Sequence, residues 1–203
     1  MSTPFTLAQW RRTVAELYAG VREPAPDRAA QCAWFRRERD RLFRTHGQSP
    51  IPESSRSTWQ GAAWFPYDPA ARLEAAIVPA TPSTTFEIAL AHDGLLRCNR
   101  VGEAHFTLAG RAARLALYWL EGYGGGLWLP FTDGTSGRAT YGGGRYLYDT
   151  IKGADLGVDE HVIVLDFNYA YNPSCAYDER WSCPLAPPEN RLDLAIEAGE
   201  RVA

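Results

Sequence analysis

Cysteine is scarce, with four in 203 residues. That excludes the dense disulfide framework that staples small secreted domains, and it agrees with a reducing compartment. Histidine is equally sparse: His46, His92, His105 and His161 are scattered, with no HEXXH or other spaced ligand set. No metal site is therefore expected. There is no Gly-X-Ser-X-Gly elbow and no glycine loop followed by Lys-Ser/Thr, so the common hydrolase and P-loop signatures are missing. No apolar run reaches the roughly 20 residues of a membrane span. Residues 1–6 lack the basic and apolar segments of a secretory leader. The net charge of −3 offers no attractive field to nucleic acid or to an anionic membrane. The expectation is a cytoplasmic protein with neither of those partners, and no motif names a cofactor.

What is present in excess is aromatic. Seven Trp, ten Tyr and eight Phe accompany 18 Gly and 14 Pro, a mixture that suits strands joined by tight turns. The length fits one domain over 1–203, with a helical segment at 1–46 and a β-rich part at 58–203. Thr6, with Gln9 three residues on, reads as a helix cap. Leu7, Trp10, Val14, Leu17, Tyr18 and Val21 then share one helical face, and Pro24 ends the helix. Asp27 caps a second helix running to about Thr45, with Cys32, Phe35, Leu42 and Phe43 apolar. Its charged run, 36–41, reads as a solvated face with paired charges, against the alternative of a basic phosphate patch.

After residue 58 the period becomes two. Leu73, Ala75 and Ile77 alternate, then Phe86, Ile88 and Leu90. Residues 105–119 read as a hairpin around Gly110. Further strands are expected at 127–131, 145–149, 161–169 (the most apolar, hence expected to be central) and at Leu192, Leu194 and Ile196. The fold class is mainly β, an antiparallel sandwich or barrel-like domain with two N-terminal α-helices packed against it.

Polar residues concentrate between 131 and 190. In the first cluster, Asp133 and Thr135 precede Tyr141, Gly142, Gly144, Arg145 and Tyr146. Glycines let backbone approach a ligand, and Arg145 could supply a charged fork; a plain glycine-rich hairpin is the alternative. In the second, alternation sends Ile163, Leu165 and Phe167 to one face and Asp166 and Asn168 to the other, with Tyr171 and Asn172 following. Asp166 beside Arg or Tyr would be a base, a ligand clamp or a structural ion-pair member. In the third, Cys175 and Cys183 are too far apart for a common zinc pair. Two packed thiols are the first reading, and a disulfide or thiol switch the second.

Several strings carry a family resemblance: Trp128-Leu129-Pro130-Phe131-Thr132-Asp133-Gly134-Thr135-Ser136-Gly137, Thr140-Tyr141-Gly142-Gly143-Gly144-Arg145-Tyr146, residues 166–177, and Cys183-Pro184-Leu185-Ala186-Pro187-Pro188-Glu189-Asn190. With Trp64-Phe65-Pro66-Tyr67-Asp68-Pro69 they resemble a widespread bacterial and archaeal family of roughly two-hundred-residue proteins, classed as a domain of unknown function, over about residues 30–200. The resemblance implies a β-rich fold and no activity. Its motif positions fall on Asp133, Thr135, Gly137, Tyr141, Gly142, Gly144, Arg145, Tyr146, Asp166, Asn168, Tyr171, Asn172, Cys175, Cys183 and Asn190.

These residues define three expectations. The first is a small-molecule site for a polar or anionic ligand, with a catalytic role left open. Asp133, Asp166, Arg145 and Tyr141 would be its reactive groups. Thr135, Gly142, Gly144, Tyr146, Asn168, Tyr171, Asn172, Cys175, Cys183 and Asn190 would be its binding groups. The second is a non-catalytic structural or interaction module in which the same polar groups form a satisfied network. The third is a cysteine-based metal or redox site.

Overall fold

The structure is a computed structural model that describes residues 3–202. Met1, Ser2 and Ala203, which belong to the expected 1–203 domain, lie outside the described residues. Helix α1 spans Pro4–Arg22 and α2 spans Arg28–Thr45. Asp27 caps α2 as expected, accepting from Ala30 N at 2.9 Å. The cap of α1 is Thr3 rather than Thr6: Thr3 Oγ1 accepts from Thr6 N, and Thr6 Oγ1 accepts from Thr3 N at 2.9 Å. Pro4 occupies the first helical position, where its fixed φ and missing N–H cost nothing, so the helix starts earlier than the apolar period suggested.

The charged run of α2 is only partly a solvated face. Arg37 and Arg41 are exposed. Arg39 is buried, because it stands four residues after Phe35 and three before Leu42, on the inward stripe. Arg36 donates to the carbonyls of Phe65 at 2.9 Å and Asn168 at 3.3 Å.

Eight strands follow: β1 (Ala63–Trp64), β2 (Arg72–Ala89), β3 (Leu95–Leu108), β4 (Arg111–Leu120), β5 (Gly126–Phe131), β6 (Arg145–Asp149), β7 (Val162–Asp166) and β8 (Glu200–Arg201). Six form one antiparallel sheet in the order β6-β5-β4-β3-β2-β7, curled into a half-barrel, and β1 pairs with β8 in a small second sheet. The chain is thus mainly β, and barrel-like. The alternating stretches around Leu73 and Phe86 belong to one strand, β2, whose pairing with β3 shifts register between Pro79 and Thr84. The β3–β4 hairpin turns through Ala109 and Gly110 at φ 51° and 73°, the double left-handed geometry of a tight two-residue hairpin.

Two expectations about strands are corrected. The most apolar segment, β7, lies at a sheet edge, not at the centre. Its apolarity reflects burial: Ile163, Leu165 and Phe167 enter the core, while residues 157–159 cover the outer edge through Val164 N to Gly157 O and Asp159 N to Val162 O, both 2.9 Å. The hydroxyl of Tyr148, on β6, lies 2.8 Å from the carbonyls of Gly157 and Val164, so a side chain spans the gap that closed-barrel strand pairing would fill. The segment holding Leu192, Leu194 and Ile196 is not a strand. Leu192 and Ile196 are buried, but the backbone makes an isolated parallel bridge to residues 132–134, with Leu192 N donating to Thr132 O and Gly134 N to Leu194 O, both at 2.8 Å, and beyond it the carbonyls of Ile196, Ala198 and Glu200 accept from Arg145.

The main core lies between the helices and one sheet face. It is built on Leu17, Tyr18 and Phe35 from the helices and on Leu115, Leu117, Leu129, Leu147 and Leu165 from the strands. Phe35 meets Tyr169 edge-on at 5.0 Å, and Phe131 meets Phe167 at 5.3 Å. Burial of each such ring stabilises the fold by about 1.5–3 kcal/mol. A smaller cluster of Tyr118, Trp128 and Tyr146 fills the opposite face, under a cover that includes Pro184 and Glu189, which accept from the hydroxyls of Tyr146 and Tyr118. Strand β4 is therefore apolar at consecutive positions, being buried on both sides. No helix among the described residues is long and apolar enough to cross a membrane.

Candidate functional site

Arg145 and Asp133 meet, and they are sealed. Arg145 Nη2 lies 2.6 Å from Asp133 Oδ2, with side-chain exposures of 1% and 0%. The same guanidinium donates to the carbonyls of Ile196 at 3.0 Å, Glu200 at 3.2 Å and Ala198. Asp133 Oδ1 accepts from Thr135 N at 2.6 Å and from Thr135 Oγ1 at 2.5 Å. Thr135 Oγ1 also lies 2.8 Å from Thr140 Oγ1. Desolvation lowers the pKa of Arg145, and Asp133 opposes that. This network ties the 132–144 loop to the 196–200 tail. Gly144 enters it at φ +92°, with a would-be Cβ 2.6 Å from Phe131 O, so glycine is required there by the turn. At Gly142 the nearest neighbour of such a Cβ is Gly137 Cα at 3.6 Å.

Asp166 stands elsewhere, away from Arg145. Its Oδ1 accepts from Asn168 N at 3.1 Å and Asn168 Nδ2 at 2.9 Å, and Arg72 Nε lies 3.8 Å from its Oδ2. Burial raises its pKa against those bonds. It borders a cleft of about 280 Å³ shared with Arg22, Arg28 and Arg72. Asn168 is satisfied on both ends: Oδ1 accepts from Asp68 N at 2.8 Å and Nδ2 donates to Asp68 O at 2.7 Å. Asn190 acts as a stitch between strands. Its Oδ1 accepts from Ala116 N at 2.7 Å, and its Nδ2 donates to Ala116 O at 3.0 Å and Pro130 O at 2.7 Å, beyond the point where β4 and β5 stop pairing.

A different set of residues encloses a cavity of about 70 Å³ where α1 and α2 meet β6 and residues 171–174. The apolar walls include Trp10, Val14, Leu17, Leu42 and Phe43, and the polar groups include Tyr18, Arg39, Asp149, Lys152, Tyr171 and Asn172. Arg39 is held by Glu200: Nη2 to Oε2 is 2.9 Å, with side-chain exposures of 8% and 1%. Its guanidinium lies 4.3 Å from the Phe43 ring centre. Glu200 Oε2 also accepts from Asn172 N at 3.0 Å, and burial raises its pKa. Arg39 Nη1 and Asn172 Oδ1 are buried and have no hydrogen-bond partner among the described residues. The hydroxyls of Tyr18 and Tyr171 are held in their neutral form, chiefly by desolvation. At the rim, Lys152 Nζ lies 3.1 Å from Asp149 Oδ2, and that carboxylate raises the lysine pKa. Tyr146, whose hydroxyl donates to Pro184 O, and Tyr171 pair backbone to backbone at 2.9 and 3.1 Å beside this cavity.

Cys175 and Cys183 come together just beyond it. Cys175 N donates to Cys183 Sγ at 3.4 Å, and Tyr141 Oη lies 3.7 Å from Cys175 Sγ. Both cysteines are free. The Cys183 thiol lowers the Cys175 pKa to about 6, helped by Tyr141 and Lys152, while Cys175 raises that of Cys183. The Tyr141 hydroxyl is pushed up to about 12, first by desolvation and then by Cys175. No group of three metal-ligating side chains occurs among the described residues.

The family described as Protein of unknown function (DUF1684) matches residues 57–201. The chain belongs to that family. This DUF1684 protein is also similar to a solved structure, the solution NMR structure of the uncharacterized protein from gene locus rrnAC0354 of Haloarcula marismortui. The two are 34% identical with a TM-score of 0.61, and the match covers 85% of this chain and 92% of that one. No curated protein matches the chain.

Of the residues lining this cavity, the sequence of this DUF1684 protein points to Tyr146, Tyr171 and Asn172 but not to Tyr18, Arg39, Asp149 or Lys152. One signal was available. Arg39 falls on the 32-35-39-42 stripe of α2, and an arginine at a core position needs a buried partner. Glu200, that partner, sits 161 residues away with no local pattern to mark it.

Proposed function

We propose that this chain is a small-molecule-binding protein, with the ligand held in the cavity between α1, α2 and β6. The observation that carries the reading is that, of the buried side-chain groups without partners among the described residues, two, Arg39 Nη1 and Asn172 Oδ1, share the wall of one cavity. An unsatisfied buried donor or acceptor costs about 1–3 kcal/mol, and a ligand in the cavity that met both would remove that cost. Arg39 and Lys152 are each matched by a carboxylate, so the polar head that fits is uncharged. A group that accepts from Arg39 and donates to Asn172, such as a carboxamide or a hydroxyl, meets both needs. An apolar remainder would lie on Trp10, Leu42 and Phe43. Convergent polar groups in an otherwise apolar cavity are the usual form of a ligand site. We place the protein in the cytoplasm, where four free thiols stay reduced.

The test is native mass spectrometry of the purified chain beside its denatured mass, followed by NMR titration with short aliphatic and aromatic carboxamides, alcohols and carboxylates. The expected result is a set of shifts centred on the Trp10 indole and the Asn172 side-chain amide, lost in Asn172→Leu. Carboxylates should bind more weakly than carboxamides. No extra mass and no shift at those signals with any probe at millimolar concentration would refute the proposal.

A second reading, a structural module, is favoured by one observation: Asp133 and Arg145 are paired and closed off from solvent. It assigns these two residues to stability whatever the cavity binds, and it expects no ligand for the 131–145 loop.

A further inference from the structure

We propose that Cys175 and Cys183 are a peroxide-reactive dithiol, with Cys175 the attacking sulfur and Cys183 the resolving one. The geometry is a relay built from three segments. The single helical turn Ser174–Ala176 presents Cys175. The 183 segment brings the second sulfur within 3.4 Å of the Cys175 backbone nitrogen, inside one side chain's reach of Cys175 Sγ. The 141 turn aims a hydroxyl at Cys175 Sγ from 3.7 Å. Lys152, paired with Asp149, adds its positive field to both thiols. Each of these groups favours negative charge on Cys175, so its thiolate is stabilised and the remaining proton resides on Cys183. The other two cysteines are opposite in character: Cys32 and Cys98 are buried, and burial pushes their thiols up to about 11. Thiolate character and access together decide which cysteine oxidises.

The chemistry balances with hydrogen peroxide as the oxidant. The Cys175 thiolate attacks one peroxide oxygen, the O–O bond breaks, and hydroxide leaves and takes up a proton to become water. Cys175 is then a sulfenic acid. The Cys183 sulfur, losing its proton, attacks the Cys175 sulfur; the S–O bond breaks, an S–S bond forms, and a second water leaves. Two thiols are oxidised and one peroxide is reduced to two waters. The ring closed by the bond spans only eight residue steps, so it is formed within one chain.

The experiment treats the full chain with one equivalent of hydrogen peroxide at about pH 6, then measures intact mass, thiol content and tryptic peptides. The expected product has lost two hydrogens and two titratable thiols and yields a Cys175–Cys183 cross-linked peptide. At that pH a free cysteine of pKa about 8.5 is about 0.3% thiolate. A thiol with pKa about 6 is half ionised. Its lower basicity costs about tenfold in intrinsic nucleophilicity, so Cys175 should react about tenfold faster than free cysteine at pH 6 and several-fold slower at about pH 8.5. Cys183→Ser should stop at a sulfenic acid on Cys175 that dimedone traps, and Cys175→Ser should not react. Four unchanged thiols, a cross-link involving Cys32 or Cys98 or a second chain, or a wild-type rate at pH 6 no faster than free cysteine would each overturn the proposal. The wild-type rate decides it even if a variant fails to fold.

Discussion

Asp133→Asn tests whether the most conspicuous charged pair of the chain is architecture. The change keeps the shape of the side chain and leaves Oδ1 able to accept from Thr135 N and Oγ1. It replaces Oδ2, which accepts from Arg145 Nη2 at 2.6 Å, with an amide that carries hydrogens. Donor would then face donor, and a guanidinium that is 1% exposed would lose its counter-charge. Breaking a buried pair from one side costs about 3–5 kcal/mol. Three carbonyls still accept from Arg145, which argues for the lower end, about 3 kcal/mol. With a urea slope of about 2 kcal/mol per molar, the unfolding midpoint should fall by about 1.5 M. The melting temperature should fall by roughly 10 °C. The double variant Asp133→Leu/Arg145→Met should not recover fully, because the carbonyls of Ile196, Ala198 and Glu200 lose their donor. A single-variant loss below about 1 kcal/mol would refute the reasoning, as would full recovery in the double variant.

Two further variants probe other polar residues. Asn190→Asp removes the donors to Ala116 O and Pro130 O and buries a carboxylate among carbonyls; it should cost about 3 kcal/mol or more by urea unfolding, and a near-neutral result would show that the stitch is dispensable. Asp166 has a folded pKa raised above its ordinary 3.8 by burial, so between 3.8 and that raised value the folded state holds more proton than the unfolded one. Its contribution is therefore fully present below the ordinary value and declines as pH rises through the folded one. Asp166→Asn abolishes that decline, and the stability of the variant minus that of wild type should grow more positive from about pH 3.5 to 7.5; a constant or shrinking difference would contradict the assignment.

Legibility followed physical range. The helices were readable because caps and a 3.6-residue period are local, although Pro4 and Thr3 moved the first boundary. Residues 105–119 were readable as a hairpin because alternation is local too. The placing of β7 was misread because apolarity reports burial and not neighbours: loop 157–159 covers an edge as well as a strand would. The end of the chain was misread because period two at Leu192, Leu194 and Ile196 places alternate side chains inward whether the backbone forms a strand ladder or an isolated bridge to residues 132–134 followed by contacts to Arg145. Asp133 and Arg145 read as reactive groups from residue type alone, which cannot reveal that three backbone carbonyls share the two terminal nitrogens of the guanidinium.

The sequence by itself determined a mainly β chain with two leading helices, its family, and the polar residues worth following, since period, caps and motif strings are properties of neighbours along the chain. Only the tertiary structure decided which of those residues close on one another and which face a cavity. Arg145 gives both terminal nitrogens to Asp133 and to a tail 51–55 residues on, away from the cavity, whereas Arg39, set in a run that reads as solvent-facing, is turned inward beside Glu200 on the cavity wall, with Nη1 unpaired. Both placements are set by contacts made across the fold, and it is the cavity beside Arg39, which does not reach the sealed Arg145, that separates the two arginines.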